Sequence, residues 1–389
     1  MLNQLLRNRH WPIALDIGTD SIKMLQMRQV GEAVAVTACG RWPFPPLAGD
    51  DPAERRKLTI QGVRELLREG GFRGRRVVSA LPCRQLKIKN VRLQSMPADE
   101  LDEAVRYEAE ERFGQPFAAD QLHYLRAGQI RQGVDSYQEL IILAAPGDVI
   151  ESHLSMLAEL PLRPQLIDAE PLAVFRPFER LLRRQADEDA ISVVVDLGHT
   201  MTKVVVARGR QVVLIKSIPI GGRNFTDAVA RQLNLPHDEA ADLRTQIMRD
   251  RADRRRETDE QGQPEDGPDS VGWTILDAVR GEVEELAREI ALCLRYCSVT
   301  FRGVRPRRVI MTGGQAYDPA MAHLLGEQLG VDCRIGHPLK GIDTSGVDFG
   351  SDRRGVLAEW SVCAGLAFRC AEFERSLRKG KDETSRLSA

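Results

Sequence analysis

Ile13-Ala14-Leu15-Asp16-Ile17-Gly18-Thr19-Asp20-Ser21-Ile22-Lys23 sets the pattern of the chain. The same pattern returns 180 positions later as Val193-Val194-Val195-Asp196-Leu197-Gly198-His199-Thr200-Met201-Thr202-Lys203. Both copies run apolar strand, Asp, apolar residue, Gly, a hydroxyl-rich turn, Lys and a second apolar strand. That order predicts a β-hairpin whose turn presents hydroxyls and backbone N–H groups, held by buried strands. A duplication over this length predicts two similar halves with a cleft between them, and two facing turns suit a phosphate chain clamped from both sides.

Working outward, 389 residues are enough for a large core and more than one domain. Apolar residues make up 42% and the formal net charge is -1, so the overall field does not point to nucleic acid. The seven cysteines lack paired spacing, which predicts reduced thiols in core positions rather than a disulfide framework. Cys293 and Cys297 lie one helical turn apart, a spacing also compatible with zinc, but they fall inside a helical pattern. No run approaches a membrane span, and Met1 to His10 lacks the apolar core of a secretory leader. The expected location is cytoplasmic.

The expected organisation is a first subdomain (1–92), an inserted recognition subdomain (93–160) and a return with an interdomain connection (161–190). A second domain (191–220), a smaller subdomain (221–304) and a closing unit (305–374) follow. The insert reads as α–β–β–α from Leu93 to Leu160, packed against the first subdomain. Arg249 to Ser270 is nearly devoid of apolar residues and predicts a disordered loop, and its Arg254-Arg255-Arg256 run is flanked by acids. Leu276 to Phe301 predicts the longest helix. Ser361 to Phe373 predicts a closing apolar helix in which Gly365 permits close packing, before a polar tail from Arg375 to Ala389.

A carboxylate ending a buried strand is costly without a cation or several donors. Asp16 and Asp196 both stand there, and facing acids at two phosphate turns suit a hydrated Mg2+. Gly18 and Gly198 let backbone approach phosphate, while Thr19, Ser21, Thr200 and Thr202 supply hydroxyls and Lys23 a point charge. Without the duplication, each copy reads equally as an ordinary hairpin with an Asp cap. Thr312-Gly313-Gly314-Gln315 follows a strand and precedes a helix, a place where glycines admit a base or ribose against backbone. Glu170, before Pro171, either orients an attacking water or caps the following helix. No Ser-His or Cys-His nucleophile can be assigned.

This order of elements resembles the actin, hexokinase and Hsp70 ATPase superfamily. Asp16 to Lys23 looks like its first phosphate motif, Asp196 to Thr202 its second, Ile310 to Gln315 its adenosine motif and Asp168 to Ala173 its first connecting segment. The resemblance implies an α/β actin-like ATPase fold, duplicated mixed-sheet domains around a nucleotide cleft, and ATP with Mg2+ as ligands. It also implies catalytic roles for Asp16, Asp196 and a water-orienting Glu170. Within the superfamily the chain is similar to the PilM family of type IV pilus assembly, a relative of the FtsA cell-division proteins. The likeness rests on Leu15 to Lys23, Leu101 to Glu111, Ile167 to Pro171 and Ile218 to Gly222.

That resemblance implies a cytoplasmic scaffold at the inner membrane face, slow or absent hydrolysis, and an insert that helps bind the cytoplasmic N-terminal peptide of a PilN-like bitopic partner. The service could be to a type IV pilus or to a related secretion machine. Self-association into an actin-like filament and a small-molecule kinase activity are the alternatives. His199 and Lys203 depart from the family pattern at the second turn.

Overall fold

A computed structural model describes residues 10–45, 51–248, 270–300, 306, 308–317, 319–350 and 356–372. The expected loop up to position 269, the tail from Arg375 and the start before His10 lie outside the described residues.

Two five-stranded sheets share one strand order. In the first, β1 (Ile13–Ile17) pairs antiparallel with β2 (Ser21–Val30), which pairs with β3 (Ala33–Pro43). On its other side β1 runs parallel to β4 (Arg76–Leu81), and β4 runs parallel to β8 (Arg163–Ala169), giving β3-β2-β1-β4-β8. The second sheet repeats this as β11-β10-β9-β12-β13, from β9 (Ile191–Leu197), β10 (Thr202–Arg208), β11 (Gln211–Ile218), β12 (Arg308–Thr312) and β13 (Asp332–Ile335). The sequence duplication is therefore a duplication of topology.

Strand alternation explains why the central strands are apolar throughout. Ile13 and Leu15 face α1 (Pro52–Glu69) and α3 (Gly147–Ala158), where Ile60, Val63, Leu66, Met156 and Leu157 cover them. Ala14 faces the other way, into a core shared by both halves. That core holds Val194 and Val205 of the second sheet, with Ala173, Val174 and Phe175 of α4 (Glu170–Glu179) and Cys363, Ala364 and Ala367 of α9 (361–372). Val193 and Val195 point outward to α5 (Gly222–Leu233), α7 (Ser270–Thr300) and α8 (Pro319–Leu329). Helix α6 (237–248) adds Ala240 and Ile247 to the same cluster. Cys293 and Cys297 are buried along α7 within it.

A third, small sheet has the order β5-β7-β6, from β5 (Lys87–Gln94), β6 (Leu122–Gln132) and β7 (Asp135–Ala144), with α2 (Ala98–Phe113) on one face. Its make-up corrects the expected α–β–β–α insert in two respects. The unit starts at β5, ahead of Leu93, because β5 pairs with β7 along its whole length. At the far end, α3 packs on the first sheet through Met156 and Leu157, with Leu160 just beyond it, and so does not belong to the unit.

The insert's neighbour also differs from the expectation. Leu140 and Ile142 face α2, whereas Ile141 and Leu143 join the core of the second half. Asn90 donates to the Val213 carbonyl at 3.1 Å, and Gln211 donates to the Arg126 carbonyl. A strand covered on both faces reads as a continuous apolar run, as Leu140 to Ala145 does, and that run carries no record of which half supplies the cover.

Candidate functional site

Each hairpin turn is closed in the same way. The Gly18 N–H donates to the Ser21 carbonyl at 3.1 Å, and the Gly198 N–H to the Met201 carbonyl at 3.1 Å. Register pairs Asp16 with Lys23 across β1–β2, and Asp196 with Lys203 across β9–β10. The turn carbonyls, which would repel a phosphate, are taken up by other donors. Arg55, stacked 3.5 Å over the Phe44 ring, donates to the carbonyls of Gly18 and Thr19, both at 2.7 Å. At the second turn the start of α5 does this, with Gly222 N–H to Gly198 O at 3.0 Å and Arg223 N–H to His199 O at 2.7 Å. The two turns meet where Thr200 Oγ1 donates to Thr19 Oγ1 at 3.4 Å.

The third element presses against the second turn. Gly313 has φ +92, and a Cβ there would lie 2.5 Å from Asp196 Oδ1. Backbone conformation and close approach both require glycine. Gly314 beside it faces open space. Thr312 anchors the segment through its hydroxyl to Ala358 O at 2.7 Å, and Arg244 of α6 ties Gln315 at 3.0 Å to Gly222 O at 2.9 Å.

Asp16, Gly18, Thr19, Ser21, Lys23, Glu170, Asp196, Gly198, Thr200, Gly313 and Gly314 line one cleft of about 130 Å³. Thr202 does not belong with them. It is fully buried, and its hydroxyl donates to the Ile220 carbonyl at 2.7 Å. Residues alternate across β10, so Thr202 and Lys203 cannot both face the cleft. The register match of Thr202 is Ile22, not Ser21. Ser21 itself accepts from Arg41 Nε at 3.2 Å.

Charge in the cleft is concentrated in two unequal groups. Lys23 Nζ stands 3.7 Å from Asp16 Oδ2. Burial pushes the Asp16 pKa up to about 6, against the pull of Lys23 and with a further push from Glu170. Lys203 Nζ lies 2.6 Å from Asp196 Oδ2 and 2.6 Å from Glu170 Oε1. Burial opposes its charge, but the two carboxylates outweigh burial and hold the ammonium protonated far above neutral pH. The second oxygen of Glu170 accepts the Cys83 backbone N–H at 2.7 Å. Each Glu170 oxygen thus accepts one hydrogen bond while the residue lines the cleft, and α4 has no side-chain cap bond at its start. His199 also lines the cleft, its pKa lowered chiefly by burial and held partway up by Asp20.

Three contributors were not singled out as site residues by sequence reasoning. Lys203 stood out only as a departure, although its register with Asp196 follows from the repeat. Arg84 is exposed on the cleft wall and makes no ion pair among the described residues. Arg55 comes from α1, far along the chain, and no local pattern marks it.

Two like-ordered sheets, facing hairpin turns and a glycine segment pressed on the second turn define a protein of the actin-like ATPase fold. Residues 14–251 match the family model "Type IV pilus assembly protein PilM", more than half of the chain, and the chain belongs to that family. Residues 193–349 also match the model "Cell division protein FtsA". A solved PilM-PilN type IV pilus biogenesis complex is similar at 26% identity with a TM-score of 0.72, over 92% of this chain and 98% of that one. Two further solved proteins share the fold. One is MreB 5 of Spiroplasma citri bound to AMPPNP, at 10% identity and TM-score 0.53, over 96% and 99% of the two chains. The other is the ethanolamine utilization protein EutJ of Carboxydothermus hydrogenoformans, at 16% and 0.51, over 92% and 89%.

Proposed function

We propose that this chain is a nucleotide-binding scaffold of type IV pilus assembly, or of a related secretion machine, working at the inner membrane face through a protein partner. The observation that carries the nucleotide reading is the meeting of Thr19 and Thr200, which sets two identically closed turns face to face. Thr19, Ser21, Thr200 and Lys23 would hold the phosphate chain, and Gly314 would leave room for the base. A bound nucleotide supplies a polyanion that touches both halves at once. A nucleotide that contacts both turns would bridge the two halves. Binding would then be coupled to interdomain angle.

Mg2+ fits the acids less well than the sequence implies. Asp16 and Asp196 each already face a lysine ammonium, and Glu170 shares the one held by Asp196. Hydrolysis is expected to be slow or absent, below about 1 s⁻¹, a reading supported by the ion pair that ties Glu170 to Lys203.

The partner is a short cytoplasmic segment of a bitopic membrane protein, a reading supported by the solved PilM-PilN complex. Among the described residues no helix is long and apolar enough to cross a membrane. The small sheet and α2 offer exposed Arg106, Glu110 and Arg112 as a charged rim. Titrating the purified chain with a fluorescent ATP analogue tests the first claim. Asp16→Ala and Asp196→Ala should weaken binding while the chain stays folded, and unchanged affinity in the folded double variant would remove the cleft assignment. A pull-down from membrane extract, with and without residues 87–144, tests the second. Recovery of the same partner by both proteins would take the insert out of this role.

A further inference from the structure

The two halves agree in topology, turn closure and Asp–Lys register, yet their lysines behave differently. Lys23 reaches one carboxylate, at 3.7 Å. Lys203 bridges two at 2.6 Å each, joining the strand-end Asp196 of the second hairpin to Glu170 at the start of α4. Its side chain is 7% exposed, with Asp196 at 6% and Glu170 at 13%, so the triad is shielded from solvent. The ammonium also sits against the second turn, 3.7 Å from where a Cβ on Gly198 would lie. An ammonium has three donors; two go to the carboxylates, leaving one for a phosphate oxygen.

A cation held between carboxylates of two elements and facing a phosphate turn does what a hydrated divalent ion does in such a cleft. It neutralises the acids and offers positive charge to the phosphates. Direct ligation of a metal by the same oxygens is disfavoured. Mg2+ binds oxygen at about 2.1 Å, so an ion on the Asp196 or Glu170 oxygen that already holds Lys203 would stand about 4 Å from the ammonium, like charge against like. Resting on the nucleotide-binding reading, we propose that Lys203 is a tethered cation in the place of the divalent metal, and that the cleft takes the phosphate chain of a nucleoside phosphate without requiring Mg2+. A lysine brings one charge and no exchangeable water. The cleft is therefore built to hold a nucleotide rather than to turn it over.

The test compares ATP binding by the full chain in Mg2+ and in EDTA, together with Mn2+ binding followed by electron paramagnetic resonance without nucleotide. The wild type should bind ATP about equally in both buffers and show no tight Mn2+ site. Lys203→Ala uncovers two carboxylates, Asp196 and Glu170, and should gain a Mn2+ site. It should lose about tenfold or more of its ATP affinity in EDTA and recover it in Mg2+. Lys203→Gln, which keeps the bulk, serves if the alanine variant does not fold. A wild-type affinity that falls about tenfold or more in EDTA overturns the proposal, and so does a folded variant that gains no Mn2+ site. If the wild type binds no ATP in either buffer, the nucleotide reading fails. The Mn2+ comparison then still decides whether Lys203 stands in for a metal.

Discussion

Gly365 of α9 crosses the backbone of α4 so closely that a Cβ on it would lie 1.8 Å from the Ala173 carbonyl oxygen. Arg176 Nη1 ties the same crossing by donating to the Gly365 carbonyl at 3.1 Å. These two helices fill the core shared by both sheets, and α4 begins at Glu170, so the spacing at Gly365 also positions one wall of the cleft. Gly365→Ala must push the helices apart. We expect a loss of about 2 to 3 kcal/mol in urea unfolding, whereas Gly281→Ala on α7, which meets nothing within 4 Å, should be neutral or stabilising. Equal midpoints for the two variants would show that the crossing is looser than this geometry requires.

Gly313 and Gly314 are neighbours with opposite constraints. Gly313→Ala strains a residue at φ +92 and drives a methyl into Asp196, which should cost about 1 to 3 kcal/mol and disturb the Asp196–Lys203 pair. Gly314→Ala has room, so stability should change by less than about 1 kcal/mol. If the base packs there, nucleotide affinity should fall all the same. Measuring melting temperature and nucleotide affinity on both variants separates the two roles.

Arg55 and Arg56 are adjacent in sequence and unlike in consequence. Arg55 holds two carbonyls of the first turn, while Arg56 pairs with Glu159 at 2.6 Å on the surface. Arg55→Ala should cost about 1.5 to 3 kcal/mol and weaken nucleotide binding. Arg56→Ala should cost under about 1 kcal/mol and leave nucleotide binding unchanged. A nucleotide affinity unaffected by Arg55→Ala would show that the turn keeps its shape without that support.

His153 of α3 lies beneath β4, its Nε2 2.8 Å from Ser79 Oγ, and burial pulls its pKa down to about 4. In the unfolded chain the value is about 6.5. Between these limits the unfolded chain binds a proton that the folded chain refuses, so stability falls as pH drops from about 6.5 towards 4. Above that window both states are neutral and the contribution vanishes. His153→Gln should therefore shrink the stability difference between about pH 7 and pH 4.5 by about 2 to 3 kcal/mol, read from urea midpoints at each pH. An unchanged acid limb would mean that His153 protonates in place.

Much of this architecture was legible from local pattern. The repeated Asp-x-Gly turns predicted two hairpins, and the fold has two sheets of one strand order built around them. Gly365 was expected at a close helix contact and stands at one. The insert was harder to delimit. Strand alternation in β5 shows a strand but not its partner, and the partner, β7, lies some 50 residues away. Nor could the apolar run of β7 say that its second face is covered by the second half of the chain.

What the sequence determined by itself is what depends on neighbours within a few residues: the hairpins, their Asp–Lys register, the glycine-bearing turns and the doubled topology. Tertiary structure alone decided how the charges are spent. Thr202 turned to the Ile220 carbonyl because strand parity forces its side chain away from the cleft. Lys203 became a bridge because Glu170, 33 residues earlier and on another element, arrives 2.6 Å from its ammonium. A buried charge takes whichever partners the packed elements bring to it, and that pairing across elements leaves no periodic trace in the chain.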